Sequence, residues 1–289
     1  MPQYSHYLFN QFQLNPAVAG TKECLDVRFG YRTQWVGFDA APRTGLASIN
    51  TRLGKPSRTG TSHAAGLIFE SDNTEPTSRT LMQVAYAYQF KMSREMRGSI
   101  GLFAGFSQYR INLSEIIIED ADDPVLALGS DTQFLVPEIT PGFWMYDKRF
   151  YLGIAARYVT GNKIFDVGEA TLQTHWNVSS GYTFFLAPKV NLIPSTMIRY
   201  VAGAPISLDL NAMLDFNRTM ALGMGYRNGD AFVAMAKINL FNSVTLAYAY
   251  DITTSPINVA SSNSHEIIIG ISACPEQSRG GFIPCAAYD

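Results

Sequence analysis

Val244-Thr245-Leu246-Ala247-Tyr248-Ala249-Tyr250-Asp251 splits cleanly by parity: Val, Leu and two Tyr on one side, Thr, two Ala and Asp on the other. Successive strand residues point to opposite faces, so this stretch predicts a strand with one apolar and one wet face. Ile206–Asn217 repeats the pattern, with Ile206, Leu208, Leu210, Ala212, Leu214 and Phe216 against Ser207, Asp209, Asn211, Met213, Asp215 and Asn217. The same alternation recurs almost from end to end, with aromatics at the ends of the apolar faces. That predicts an all-β protein, a transmembrane antiparallel up-and-down β-barrel with a polar lumen.

Composition agrees. Of 289 residues, 47% are apolar, 12% aromatic and only 16% charged, against about a quarter charged in soluble domains. Mean hydropathy is close to zero, and no apolar run approaches the roughly 20 residues of a membrane helix. In a barrel, lumen-facing residues dilute lipid-facing ones, which gives this combination. A formal charge of −2 with no basic run argues against nucleic acid as a partner. Met1-Pro2-Gln3-Tyr4 has neither the basic nor the apolar part of a signal peptide, so an exported barrel implies a leader not included in this sequence.

Fourteen strands are expected: 24–36, 43–53, 62–70, 78–90, 97–111, 135–146, 149–160, 173–186, 190–201, 205–217, 219–227, 231–240, 243–252 and 264–273. An even number fits a single-chain barrel with both strand ends on one side. The joins Asp147-Lys148, Ala187-Pro188-Lys189, Asn217-Arg218 and Phe241-Asn242 are short, and all lead from an even strand to an odd one. The odd-to-even joins 71–77, 112–134, 161–172 and 253–263 are longer, with Asn228-Gly229-Asp230 a tight exception. Short turns mark the periplasmic end of outer-membrane barrels, so both termini are expected in the periplasm. The domain reading is a periplasmic or lumenal segment at 1–23, a barrel at 24–273 and a periplasmic tail at 274–289.

Parity then assigns faces. Met82, Val84, Tyr86, Tyr88, Phe90, Phe150, Leu152, Ile154 and Tyr158 are expected to face lipid, with Trp35, Tyr158, Tyr200 and Tyr250 at headgroup level. Asp26, Arg28, Arg32, Arg157, Asp209, Asp215, Arg227, Lys237 and Asp251 share parity with Gly, Ala and Ser and are expected in the lumen as ion pairs. Residues 1–23 do not alternate and are too aromatic for a solvated tail. They are expected to plug the lumen or cross the barrel mouth.

Three sequence stretches carry a family resemblance. Pro2-Gln3-Tyr4-Ser5-His6-Tyr7-Leu8-Phe9-Asn10, with Leu14-Asn15-Pro16-Ala17-Val18-Ala19-Gly20, opens the chain; Tyr31-Arg32-Thr33-Gln34-Trp35-Val36-Gly37-Phe38 follows; Tyr250-Asp251 and Ser264-His265-Glu266-Ile267 come late. Together they resemble the PorP/SprF family of Bacteroidota outer-membrane proteins, with Gln3, Tyr4, Asn15, Pro16, Ala19, Gly20, Tyr31, Arg32, Gln34, Trp35 and Gly37 as the matching positions. The resemblance implies service to the type IX secretion and gliding machinery. It implies a barrel that binds and retains a secreted cell-surface adhesin through the adhesin's C-terminal domain, with periplasmic lipoprotein or ring components as further partners. It implies no catalysis and no cofactor. A general channel or hydrophobic-solute transporter is the alternative. The tail beyond Ser272 departs from the family pattern.

Within the longest loop, Ile116, Ile117, Ile118, Val125 and Leu126 are apolar beyond the membrane, so partner contact, an inward constriction and strand extension are all open. Glu119-Asp120-Ala121-Asp122-Asp123 lacks the glycine and terminal glutamate of a calcium loop and reads as solvated. His265 and Glu266 at the outer rim are expected in structure or docking. The histidines form no zinc spacing, and no nucleophile-elbow motif accompanies them. Of three cysteines, Cys274 and Cys285 are the preferred pair, with Cys24–Cys274 as the alternative, because strand positions make the latter bridge geometrically demanding.

Overall fold

The computed structural model describes residues 3–22, 24–37, 40–57, 59–112, 131–162, 171–241, 243–259 and 263–273. The strands run β1 Leu25–Thr33, β2 Arg43–Leu53, β3 Ser62–Thr74, β4 Thr77–Lys91, β5 Arg97–Asn112, β6 Asp131–Tyr146 and β7 Phe150–Arg157. An eighth, β8, is made of His175–Tyr182 and Phe184–Ala187, interrupted at Thr183, and both pieces pair with Val190–Val201. After Val190–Val201 come Ser207–Phe216, Met220–Arg227, Ala231–Leu240, Val244–Thr253 and Ser264–Ala273. Every neighbour is antiparallel, and the first strand pairs with the last from Leu25↔Ala273 to Thr33↔His265. The sheet therefore closes as a fourteen-strand barrel without a free edge at the seam, which is what strands in lipid need.

The period-two pattern places the faces as expected. Along β4, Met82, Val84 and Tyr86 are exposed while Leu81, Gln83, Ala85 and Ala87 are buried. On the strand 244–253, Leu246 and Tyr248 point out, and Ala247, Ala249 and Asp251 point in. Lumen-facing small residues make room for what fills the barrel, because large side chains turned inward would occupy the same space.

The wall is uneven. β3 to β6 hold 13, 15, 16 and 16 residues, against 9 in β1 and 8 in Met220–Arg227. The extra length rises above the rim at the end opposite the short turns. Ser71 to Thr74 pair with Thr80 to Thr77, so the expected loop 71–77 is instead a continuation of two strands around a tight hairpin. Polar side chains there read as loop in sequence, but above the membrane a strand has no need of an apolar face. β6 pairs with β7 only from Gly142↔Ala155 to Tyr146↔Tyr151. Pro137 and Pro141 lie on the remaining upper edge, and the Pro137 carbonyl accepts a bond from the Asn162 side chain. Proline is tolerated on such an edge because no ladder donor is lost.

Candidate functional site

The N-terminal segment fills the lumen. Residues 4 to 21 are all buried, and three short 3-10 turns, Tyr7–Phe9, Gln11–Gln13 and Pro16–Val18, compact the chain. Asn10 and Asn15 punctuate these turns. The Asn15 side chain accepts from the Ala17 amide at 3.0 Å, and its amide donates to the Phe143 and Ile154 carbonyls at 2.8 and 3.2 Å. It thus caps its own turn and ties the segment to β6 and β7 at once. Gln89 donates to the Ala19 carbonyl at 2.7 Å.

The segment fits closely because the wall gives way where it passes. A Cβ at Gly101 would come within 2.5 Å of the Ala17 nitrogen, and one at Gly66 within 2.5 Å of the Phe12 ring. Gly142 faces Asn15 and Pro16 in the same way. Gly20 turns the chain toward β1 with φ +64°, a left-handed value open to glycine. Phe12 packs on Phe103 with ring centroids 5.3 Å apart, and Trp144 stacks on Tyr151 toward the short-turn end.

Toward the other end the contacts become ionic. Arg32 donates to Glu266 at 3.0 Å and to Asp251 at 2.8 Å. Arg227 reaches Asp209 at 3.3 Å and Asp251 at 3.4 Å, while Arg199 holds Asp209 with two bonds. The Ser5 hydroxyl is the hub: it donates to Asp251 at 2.6 Å and accepts from Arg32 and Arg227 at 3.2 and 3.0 Å. The Ser5 amide donates to Glu266 at 2.8 Å. Across the lumen, Glu70 accepts from Tyr4 at 2.8 Å, Gln13 at 3.1 Å and Arg79 at 2.8 Å. Arg79 and Arg157 also approach Glu138. At the base, Asp26 accepts two bonds from Arg28 and one from Lys22. The lumen charges expected from parity are therefore paired, and the N-terminal segment supplies a partner to each of the three groups.

Above the plug lies a cavity of about 460 Å³, lined by Gln3, Gln34, Trp35, Pro42, Asp72, Thr74, Ile206, Arg227 and Asp230 among others. These residues belong to strand ends on the long-loop side, opposite Leu25 and Ala273. The expectation that both termini lie at the short-turn end holds for the strand ends and fails for the start of the chain, which climbs the lumen to Gln3. Twenty residues are enough to traverse a barrel, and sequence alone does not say which way a non-alternating segment turns. Trp35, expected at headgroup level, belongs to this cavity because a left-handed residue (φ 49°) ends the strand and turns the ring inward. The Trp35 amide donates to the Ser264 hydroxyl at 3.0 Å, and the Gln34 amide to the Pro42 carbonyl at 2.9 Å. Gly37 continues the turn with φ 113°. Tyr158, also expected to face lipid, is buried, with Arg79 5.8 Å from its ring, because its own left-handed φ of 58° breaks the parity of β7.

His265 and Glu266 separate by parity. Glu266 is buried with Arg32, whereas His265 is on the outer face, 2.7 Å from the Tyr248 hydroxyl. Tyr31 is exposed on the same outer face as neighbour to the buried Arg32. His63 pairs with Tyr86 at 2.6 Å and His175 packs against Tyr158, on different strands. Ile116, Ile117, Ile118, Val125, Leu126 and the acidic run 119–123 lie outside the described residues, as do Cys274 and Cys285. Cys24 is disulfide-bonded. Closure of the barrel at Leu25↔Ala273 brings the first and last strand ends together beside it.

The fold and its filled lumen define a plugged outer-membrane β-barrel. Among solved structures, the chain is similar to the toluene transporter TbuX of Ralstonia pickettii, with 9% identity, TM-score 0.54 and coverage of 90% of this chain and 92% of that one. It is likewise similar to the toluene transporter TodX of Pseudomonas putida, with 8% identity, TM-score 0.50 and coverage of 91% and 92%. At such identity the likeness is one of fold. Residues 1–271 match the family of the type IX secretion system membrane protein PorP/SprF, and the chain belongs to that family. No match is found among curated proteins.

Proposed function

We propose that this barrel binds and retains a secreted cell-surface adhesin, through the adhesin's C-terminal domain, for the type IX secretion and gliding system. The observation that carries the reading is the plug: residues 4 to 21 are buried throughout the lumen and held by paired charges at one end and close packing at the other. Such a lumen is built to stay filled, which favours holding a partner at the mouth over conducting a solute. The open cavity over Gln3, with Trp35 as its aromatic anchor and Asp72, Arg227 and Asp230 as its charged groups, offers the mixed surface that protein recognition uses. Ile116, Ile117, Ile118, Val125 and Leu126 in the long loop on the same side supply further apolar contacts in this reading. His265 adds a rim contact, and Glu266 acts indirectly by fixing Arg32. The short-turn end faces the periplasm and meets lipoprotein or ring components of the machine.

The test is a pull-down of the tagged barrel from native outer membrane in mild detergent, read by mass spectrometry, for the unaltered chain and for Trp35→Ala. Recovery of a large secreted protein with its C-terminal domain, reduced in the variant, is the expected result. Recovery of the barrel alone while other secretion components stay assembled, together with solute flux in vesicles, would overturn it in favour of a channel.

A further inference from the structure

The short-turn end of the barrel carries a collar of basic side chains that no described acidic group neutralises. Six hairpin turns close this end, and five carry an exposed Lys or Arg. Lys55 follows β2, Lys91 and Arg94 flank the turn after β4, and Lys148 and Arg149 make the turn after β6. Lys189 and Arg218 occupy the two turns on either side of Val190–Phe216. Against these seven cations stand two carboxylates on the described turns. Glu95 is exposed, and Asp147 is engaged with the Arg149 and Phe150 amides at 2.6 and 2.7 Å. None of the seven forms an ion pair among the described residues.

The cations are coupled to exposed apolar groups. Arg149 lies over the Phe185 ring at 5.0 Å. Leu53, Met92, Leu186 and Met220 are exposed and lie within three residues in sequence of Lys55, Lys91, Lys189 and Arg218. The sixth turn has no cation but presents Phe241, 91% exposed, at its tip. An apolar group close to a basic one, repeated at five of the six turns, matches the boundary between acyl chains and headgroups. A protein partner would need one sector of the rim, whereas a lipid annulus meets all of it.

We infer that this collar binds the phosphate groups of anionic phospholipids in the leaflet at the short-turn end, and so fixes the depth and axis of the barrel in the membrane. The apolar partners enter the acyl region while each cation meets a headgroup, an attraction that weakens with salt.

The full chain, reconstituted in bilayers of phosphatidylethanolamine and phosphatidylglycerol and released into detergent, is examined by native mass spectrometry for retained lipid. Phosphatidylglycerol is expected to be enriched over its share of the bilayer and to be lost as salt is raised. A variant with Lys55, Lys91, Arg94, Lys148, Arg149, Lys189 and Arg218 all changed to Gln is expected to lose the enrichment, by on the order of fivefold in affinity for each lost contact at low salt. Retention in proportion to bilayer composition, or equal enrichment in the folded variant, overturns the inference. Should the variant lack heat-modifiable migration and so be unfolded, the salt titration of the unaltered chain decides: enrichment insensitive to salt overturns the inference equally.

Discussion

The two halves of the plug are held by different physics. Toward the long-loop end, Tyr4 and Ser5 meet carboxylates and guanidinium groups, with Arg32, Arg227, Asp251 and Glu266 buried around one serine hydroxyl. Toward the short-turn end, Phe12 and the Pro16–Gly20 stretch press against wall glycines and Phe103. Apolar packing is additive and tolerant of direction; buried ion pairs add little net stability yet punish the loss of a partner. The lower half therefore supplies attachment, and the upper half supplies register, placing Gln3 beneath the cavity.

That division can be broken in graded steps. The largest effect is expected from Arg32→Met, which leaves Asp251 and Glu266 facing each other without their shared cation, at a cost of about 4 kcal/mol. Urea unfolding in lipid vesicles, followed by heat-modifiable migration, measures it; a loss below about 1 kcal/mol would show that the network does not hold the upper half. Gly101→Val tests the lower half, since its side chain occupies the path of Ala17, and about 3 kcal/mol is expected in the same assay. Protease access to the N-terminal segment should also rise in that variant; an intact, protected plug would mean the wall relaxes around the new side chain. Leu246→Arg lies outside the lumen altogether and places a charge toward lipid, with an expected loss of about 2–3 kcal/mol and impaired assembly. Normal membrane yield would count against the face assignment. Ser5→Ala is the mildest, about 1–2 kcal/mol, because the arginines retain their carboxylates. If it matched Arg32→Met, the hydroxyl and not the ion pairs would be the hub's main support.

Most of the barrel was legible in sequence. Fourteen strands, their order and the inward parity of Asp26, Arg28, Arg32, Asp209, Asp215, Arg227 and Asp251 follow from an alternation that a one-residue slip would invert. Two departures from this pattern share a cause. Trp35 and Tyr158 were assigned by parity, but each has a positive φ, and a single left-handed residue ends the alternation on which parity depends. The hairpin at Thr74–Thr77 was hidden because strands above the membrane need no apolar face. The site was legible only as residues. Gln34 and Trp35 were singled out by resemblance, yet nothing in their spacing places them beside Gln3, some 30 residues earlier in the chain. Glu266 and its neighbour His265 look like one rim feature in sequence, and period two sends them to opposite faces.

By itself the sequence determined the class of fold, because lipid outside and polar groups inside impose a period that few other environments do. It also determined the short and long ends, since turn length is local. Tertiary structure alone decided what fills the barrel, which way residues 3–22 run, and that Ser5, Arg32, Arg227, Asp251 and Glu266 share one buried cluster. These are contacts between residues far apart in the chain, fixed by closure of the barrel, and no local pattern encodes them.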